Sequence, residues 1–127
     1  MEARMNSLGE RAVKALGFRW MPGMRMLHPR MGPARVLRVT QQGVWVAKEE
    51  SLASGFRVDE DGCYPDLTDP ATLGCLLALV REAWMCPKVS VRYEMGRIWR
   101  CVHQDGAWLG EGKSEAETLV AALEAAP

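Results

Sequence analysis

Asp66-Leu-Thr-Asp-Pro-Ala-Thr-Leu-Gly-Cys-Leu-Leu-Ala-Leu-Val-Arg-Glu-Ala-Trp84 reads as a helix with a written start and an almost wholly apolar middle. Thr68 or Asp69 offers an oxygen to cap the first turn, and Pro70 falls at the first helical position, where its missing N–H costs nothing. Leu73 to Val80 is unbroken apolar, so the helix is expected to lack a solvated stripe there and to need cover on more than one side. It is the predicted centre of the molecule, and it divides the chain.

Before it, Ser7-Leu-Gly-Glu10 has the form of a capping box ahead of Arg11–Leu16, with Gly17 as the stop. Phe18–Pro33 holds three prolines and two glycines, which predicts an ordered loop tied down by its methionines, Phe18 and Trp20. Val36, Val39, Val44, Trp45 and Val46 flank Gln41-Gln42-Gly43, the pattern of a hairpin over about 34–40 and 43–48. A weaker strand is expected at Phe56–Val58, before a turn at Asp59–Gly62.

After it, Pro87 forces a break. Val89, Val91 and Tyr93 alternate with polar residues, and two further strands follow at 97–102 and 107–109. Ser114-Glu-Ala-Glu117 is a second capping box, opening an alanine- and leucine-rich helix. The reading is α+β in a single domain over 1–127: a β-rich half with a short first helix (1–65), then an αβββα half (66–127) with a central buried helix and an antiparallel sheet.

The 127 residues carry no net charge, but its distribution is uneven. Arg4, Arg11, Lys14, Arg19, Arg25, Arg30, Arg35 and Arg38 face only Glu2 and Glu10 in the first 45 residues, and Glu49, Glu50, Asp59, Glu60, Asp61 and Asp66 then form an acidic stretch. Overall neutrality argues against a dedicated nucleic-acid binder. The N-terminus lacks a signal-peptide core and no apolar run approaches the roughly 20 residues of a membrane span, so a cytoplasmic protein is expected. Cys63, Cys75, Cys86 and Cys101 form no close pair and read as reduced thiols.

The αβββα order, with Gly110-Glu-Gly-Lys-Ser114 leading into the last helix, resembles the double-stranded-RNA-binding domain over roughly the last 60 residues. That family grips phosphates with lysines at the start of the helix; the matching positions here are Glu115, Ala116 and Leu119, so its RNA-binding cations are missing. Residues 66–126 also resemble small phage and prophage proteins in phrasing. This second resemblance implies a phage-type protein acting in a host cytoplasm, and it carries no catalytic residues across.

Cys101-Val-His103 is the only closely spaced pair of soft ligands, too little for a structural zinc site, and no nucleophile, phosphate-loop or dinucleotide motif is present. No enzyme, metal or cofactor is therefore expected. Recognition remains. Arg97, Trp99, Arg100, His103 and Trp108 gather aromatic faces and cations in the C-terminal strands; either Arg100 or the row Arg97, Trp99, His103 must face outward, and the row is the preferred surface. Arg25, Met26, His28 and Arg30 in the Met/Arg loop form a second candidate. Trp20, Trp45 and Trp84 read as core. The expected function is an oligomeric, non-enzymatic binding protein that inhibits host defence by occupying a host protein or sequestering a small nucleotide. The alternatives are a nucleic-acid-binding accessory protein using the basic N-terminal third, and a phage assembly protein.

Overall fold

The computed structural model describes residues 2–48 and 55–127, with side chains from Ser7 onward within them. Glu49 and Glu50 of the acidic stretch, and the side chains of Glu2 and Arg4, lie outside the described residues.

Helix α1 spans Glu2–Lys14. It begins before the expected capping box, so Ser7 lies inside it. The helix is fixed instead by burial of Leu8 and Ala12, four residues apart on one face. Gly9 lets that face approach closely, since a Cβ there would lie 3.1 Å from Tyr64 Cβ. Strands β1 (Arg25–His28), β2 (Gly32–Thr40), β3 (Gly43–Lys48), β4 (Phe56–Val58) and β5 (Tyr64–Pro65) form an antiparallel sheet in the order β4-β3-β2-β1-β5. The hairpin and the Phe56–Val58 strand stand where the sequence put them.

The Met/Arg segment does not. It contains β1, because Pro22 and Pro29 fall outside the strand and Met26 pairs with Ala34 on one side and Pro65 on the other. Met24 and Met26 are fully buried.

Helix α2 is Pro70–Ala83, with Asp69 as its N-cap accepting from Thr72 N at 3.0 Å. It buries Thr72, Leu76, Leu79 and Val80. Its middle is nonetheless not covered all round: Ala71, Gly74 and Ala78 are exposed, so the solvated stripe exists and is built of small residues. The cover for the other faces includes the N-terminal half, where Pro22 O accepts from Cys75 Sγ and a Cβ on Gly17 would lie 3.2 Å from Ala83 Cβ.

Strands β6 (Ser90–Glu94), β7 (Ile98–Val102) and β8 (Trp108–Gly112) form a second antiparallel sheet in that order. Helix α3 (Glu115–Ala125), capped by Ser114, packs on this sheet and also touches α1 and α2. It lies directly on β8, where a Cβ on Gly110 would sit 2.7 Å from Ala122 N. The second capping box is half formed: Ser114 Oγ accepts from Glu117 N, while the Glu117 carboxylate accepts from Lys113 N instead of Ser114 N.

The two halves share one apolar core, which runs from Leu8 and Met26 to Leu119 and Leu123. Ion pairs Arg25–Asp66, Arg35–Asp69, Arg19–Glu82 and Arg11–Glu124 tie them at the rim. Among the described residues no helix is long and apolar enough to cross a membrane.

Candidate functional site

Register decides which face of each strand meets solvent. In the C-terminal sheet Val91 stands opposite Cys101, and Cys101 is fully buried. Residues two apart on β7 share a face, so Trp99 points to the same side, toward the helices. Trp99 lies against Tyr93 with ring centroids 5.2 Å apart, and its carbonyl accepts from Thr118 Oγ1 at 3.2 Å. The preferred row of Arg97, Trp99 and His103 is therefore not one exposed surface. Arg97 is in the β6–β7 turn. His103 lies beyond the end of β7, its Nδ1 accepting from Asp105 N at 3.2 Å.

The outer face carries Arg100 instead. Its guanidinium lies 3.8 Å from the centroid of the Trp108 ring, which is 62% exposed. Nη1 donates to Glu94 Oε2 at 2.7 Å, and Nε is 3.7 Å from Glu111 Oε2, beyond hydrogen-bond reach. That Nε is buried without a hydrogen-bond partner. Arg92, opposite Arg100 on β6, is exposed, and Val102, opposite Trp108 on β8, is buried. At the end of the same hairpin Met95 is 73% exposed and takes a left-handed φ of 57°, a conformation usually given to Asn or Gly. Arg100 and Trp108 thus come together as a preformed, charge-compensated patch.

The second candidate set disperses. Met26 is 0% exposed and cannot meet a ligand. Arg25 pairs with Asp66, and its backbone N–H donates to Thr72 Oγ1 at 2.9 Å. His28 Nδ1 accepts from the N–H groups of Arg30 and Met31, which closes the β1–β2 turn. Arg30 alone of that set is exposed. These residues hold the fold, because the segment is a paired strand with one face in the core.

One surface was missed. Trp45 is not core: Val44 and Val46 point inward, so Trp45 between them points out, with the Arg38 guanidinium 4.5 Å from its ring centroid. Arg57 stands opposite Trp45 on β4. The alternation Val44-Trp45-Val46 was the available signal. By contrast Trp20 is buried, and Trp84 is half-buried with Nε1 donating to Ala122 O at 2.8 Å.

Electrostatics separate structural from available groups. Burial, and then Asp59, Glu60 and Asp61, push the Cys63 thiol up to about 11; burial pushes Cys101 up to about 11. Both thiols stay protonated near neutrality, the wrong state for a nucleophile. For Asp66, burial opposes ionisation, but hydrogen bonds from Thr68 and Arg25 outweigh it and keep the carboxyl below its usual range. The hydrogen bond from Arg35, against the opposing cost of burial, does the same for Asp69, with help from Thr72. A cleft of about 550 Å³ between α1 and the Glu60–Tyr64 turn is lined by Phe18, Trp20 and Tyr64, with acidic and basic residues mixed at its rim. Among the described residues no group of three or more His, Cys, Asp or Glu side chains could hold a metal ion. Neither a family model, nor a curated protein, nor a solved structure matches this chain significantly.

Proposed function

We propose that this protein is a non-enzymatic binding module that acts by occupying a host protein, with the outer face of β6–β8 as its contact surface. The observation that carries the reading is the Trp108 indole, 62% exposed and seated on Arg100. Tryptophan and arginine dominate the energetics of protein interfaces, and an indole held in place beforehand loses little entropy on binding. The strained, exposed Met95 at the end of the same hairpin adds an adaptable apolar contact.

Charge favours a protein over a nucleotide on this face. Glu94 and Glu111 already compensate Arg100, and their carboxylates would repel a phosphate placed beside the indole. A host-defence component as the partner accords with the resemblance of residues 66–126 to small phage and prophage proteins. The raised Cys63 and Cys101 thiols accord with binding in place of covalent catalysis.

The test places a photo-reactive amino acid at position 92, beside the patch, and irradiates cells in which the protein acts. The reading expects one dominant protein adduct that disappears when Trp108→Ala is added. An adduct indifferent to Trp108→Ala in a folded protein would refute it.

A further inference from the structure

Both sheets present a guanidinium stacked on an indole, but the two pairs differ in charge compensation. Arg100 is bracketed by two carboxylates. Among the described residues Arg38 and Arg57 make no ion pair; Arg38 rests on Trp45, and Arg57 Nη1 donates to Gln42 O at 3.1 Å. The register places the three side chains in one line across adjacent strands, Arg38 opposite Trp45 and Trp45 opposite Arg57. Cross-strand neighbours lie roughly 5 Å apart, so the row sets one indole between two arginines without ion pairs, with the Arg38 guanidinium resting over the ring.

The backbone makes room for it. A β-bulge between Val36 and Arg38 on β2 shifts the register so that Arg38 stands opposite Trp45. Gly43, at φ 140°, leaves space for the Arg57 stem, which a Cβ there would meet at 3.1 Å. Two open hollows flank the β2–β3 turn. One, about 500 Å³, is lined by Arg38, Thr40, Gln41, Gln42 and Trp45; the other, about 400 Å³, is lined by Gln42, Gly43, Arg57, Val58, Asp59 and Glu60.

We infer that the Arg38–Trp45–Arg57 row binds a segment of single-stranded nucleic acid, with a base taking the place of the Arg38 guanidinium over the Trp45 indole and neighbouring phosphates at the displaced Arg38 and at Arg57. Aromatic platforms between cations are the shared device of single-strand binding. The openness of the hollows suits a polymer passing across the sheet, whereas a free nucleotide needs enclosure to bury most of its surface. A duplex fits poorly, because its bases are already stacked and offer no ring face to Trp45. The zero net charge of the chain does not oppose this, since the interaction is set within a Debye length of the row, roughly 8–10 Å. This surface is on the other sheet from the Trp108 patch, so the two readings fail separately.

The experiment titrates the full chain against a 5′-labelled 15-nucleotide oligothymidylate, reading fluorescence anisotropy from 50 to 200 mM salt. The expected slope of log K against log salt is about −1.4, two phosphates at about −0.7 each. Arg38→Gln and Arg57→Gln each flatten it by about 0.7, while Arg38→Lys and Arg57→Lys keep it. Trp45→Leu weakens binding by about tenfold at unchanged slope. Should Trp45→Leu fail to fold, the arginine variants decide alone. Arg92→Gln on the other sheet leaves the titration unchanged. Three results would overturn the inference: no saturable binding at 50 mM salt, binding that survives the Arg38→Gln, Arg57→Gln double variant, or thymidine monophosphate competing as well as the oligomer.

Discussion

Arg35 Nη1 lies 2.6 Å from Asp69 Oδ2, so the residue that caps α2 is also the anchor of strand β2. One carboxylate thereby serves helix initiation and the junction between the halves. The same Asp69 oxygen also accepts from Thr72 N and Thr72 Oγ1.

Acid should therefore loosen this junction first. The Asp69 and Asp66 carboxyls are both held below their ordinary range in the folded chain, so their contribution is present above the unfolded value of about 4 and is lost as pH falls through the folded one. Melting temperature is expected to hold near neutrality and to drop below about pH 4. Asp69→Asn, which keeps a cap but loses the charge, should lower stability at pH 7 and flatten the acid limb. An unchanged acid limb in that variant would exclude Asp69 as its source.

Two glycines should respond in opposite directions to the same added methyl. Gly110→Ala puts a Cβ 2.7 Å from Ala122 N and 2.9 Å from Thr118 O, backbone atoms that cannot yield without moving α3 off β8. A loss of about 2 kcal/mol or more is expected. Gly74→Ala, inside α2 with nothing within 4 Å, should gain about 0.5–1 kcal/mol. Urea denaturation of the two variants measures both signs.

Met85 and Met95 hold left-handed φ values of 52° and 57° while 91% and 73% exposed. Met85 follows the C-cap of α2, with its N–H on Glu82 O and that of Cys86 on Arg81 O, the hydrogen-bond pair of a helix terminus that favours glycine. Met85→Gly and Met95→Asn should each stabilise by about 1 kcal/mol. If Met95 serves recognition, Met95→Asn also weakens the Trp108-dependent adduct, and Met85→Gly leaves it intact.

Elements whose limits are written locally were legible in the sequence. Asp69-Pro70 with Thr72 fixes the start of α2, and Gln41-Gln42-Gly43 fixes the hairpin, because cap and turn chemistry act within a few residues. The first capping box misled, because a capping motif marks a helix start only when nothing upstream also folds as helix, and Leu8 on the core holds the turn around it. Strand β1 was hidden by the prolines on either side of it, since its pairing comes from β2 and from the distant β5. At the candidate surfaces the difficulty was parity. Whether Trp99 or Arg100 faces solvent depends on which of two equivalent strand faces meets α3, and Gly110 and Gly112, which accept that helix, settle it only in three dimensions.

Arg11 Nε donates to Glu124 Oε2 across 113 residues of chain, on the flank where α1 meets α3. Closing so wide a loop costs entropy, though the cost grows only slowly with loop length. Helix α1 also packs on β5, so its buried face is completed by partners from both halves. Docking of α1 thus adds to the coupling of the two halves through their shared core, and hydrogen exchange at its buried turn is expected to report global opening more than local fraying.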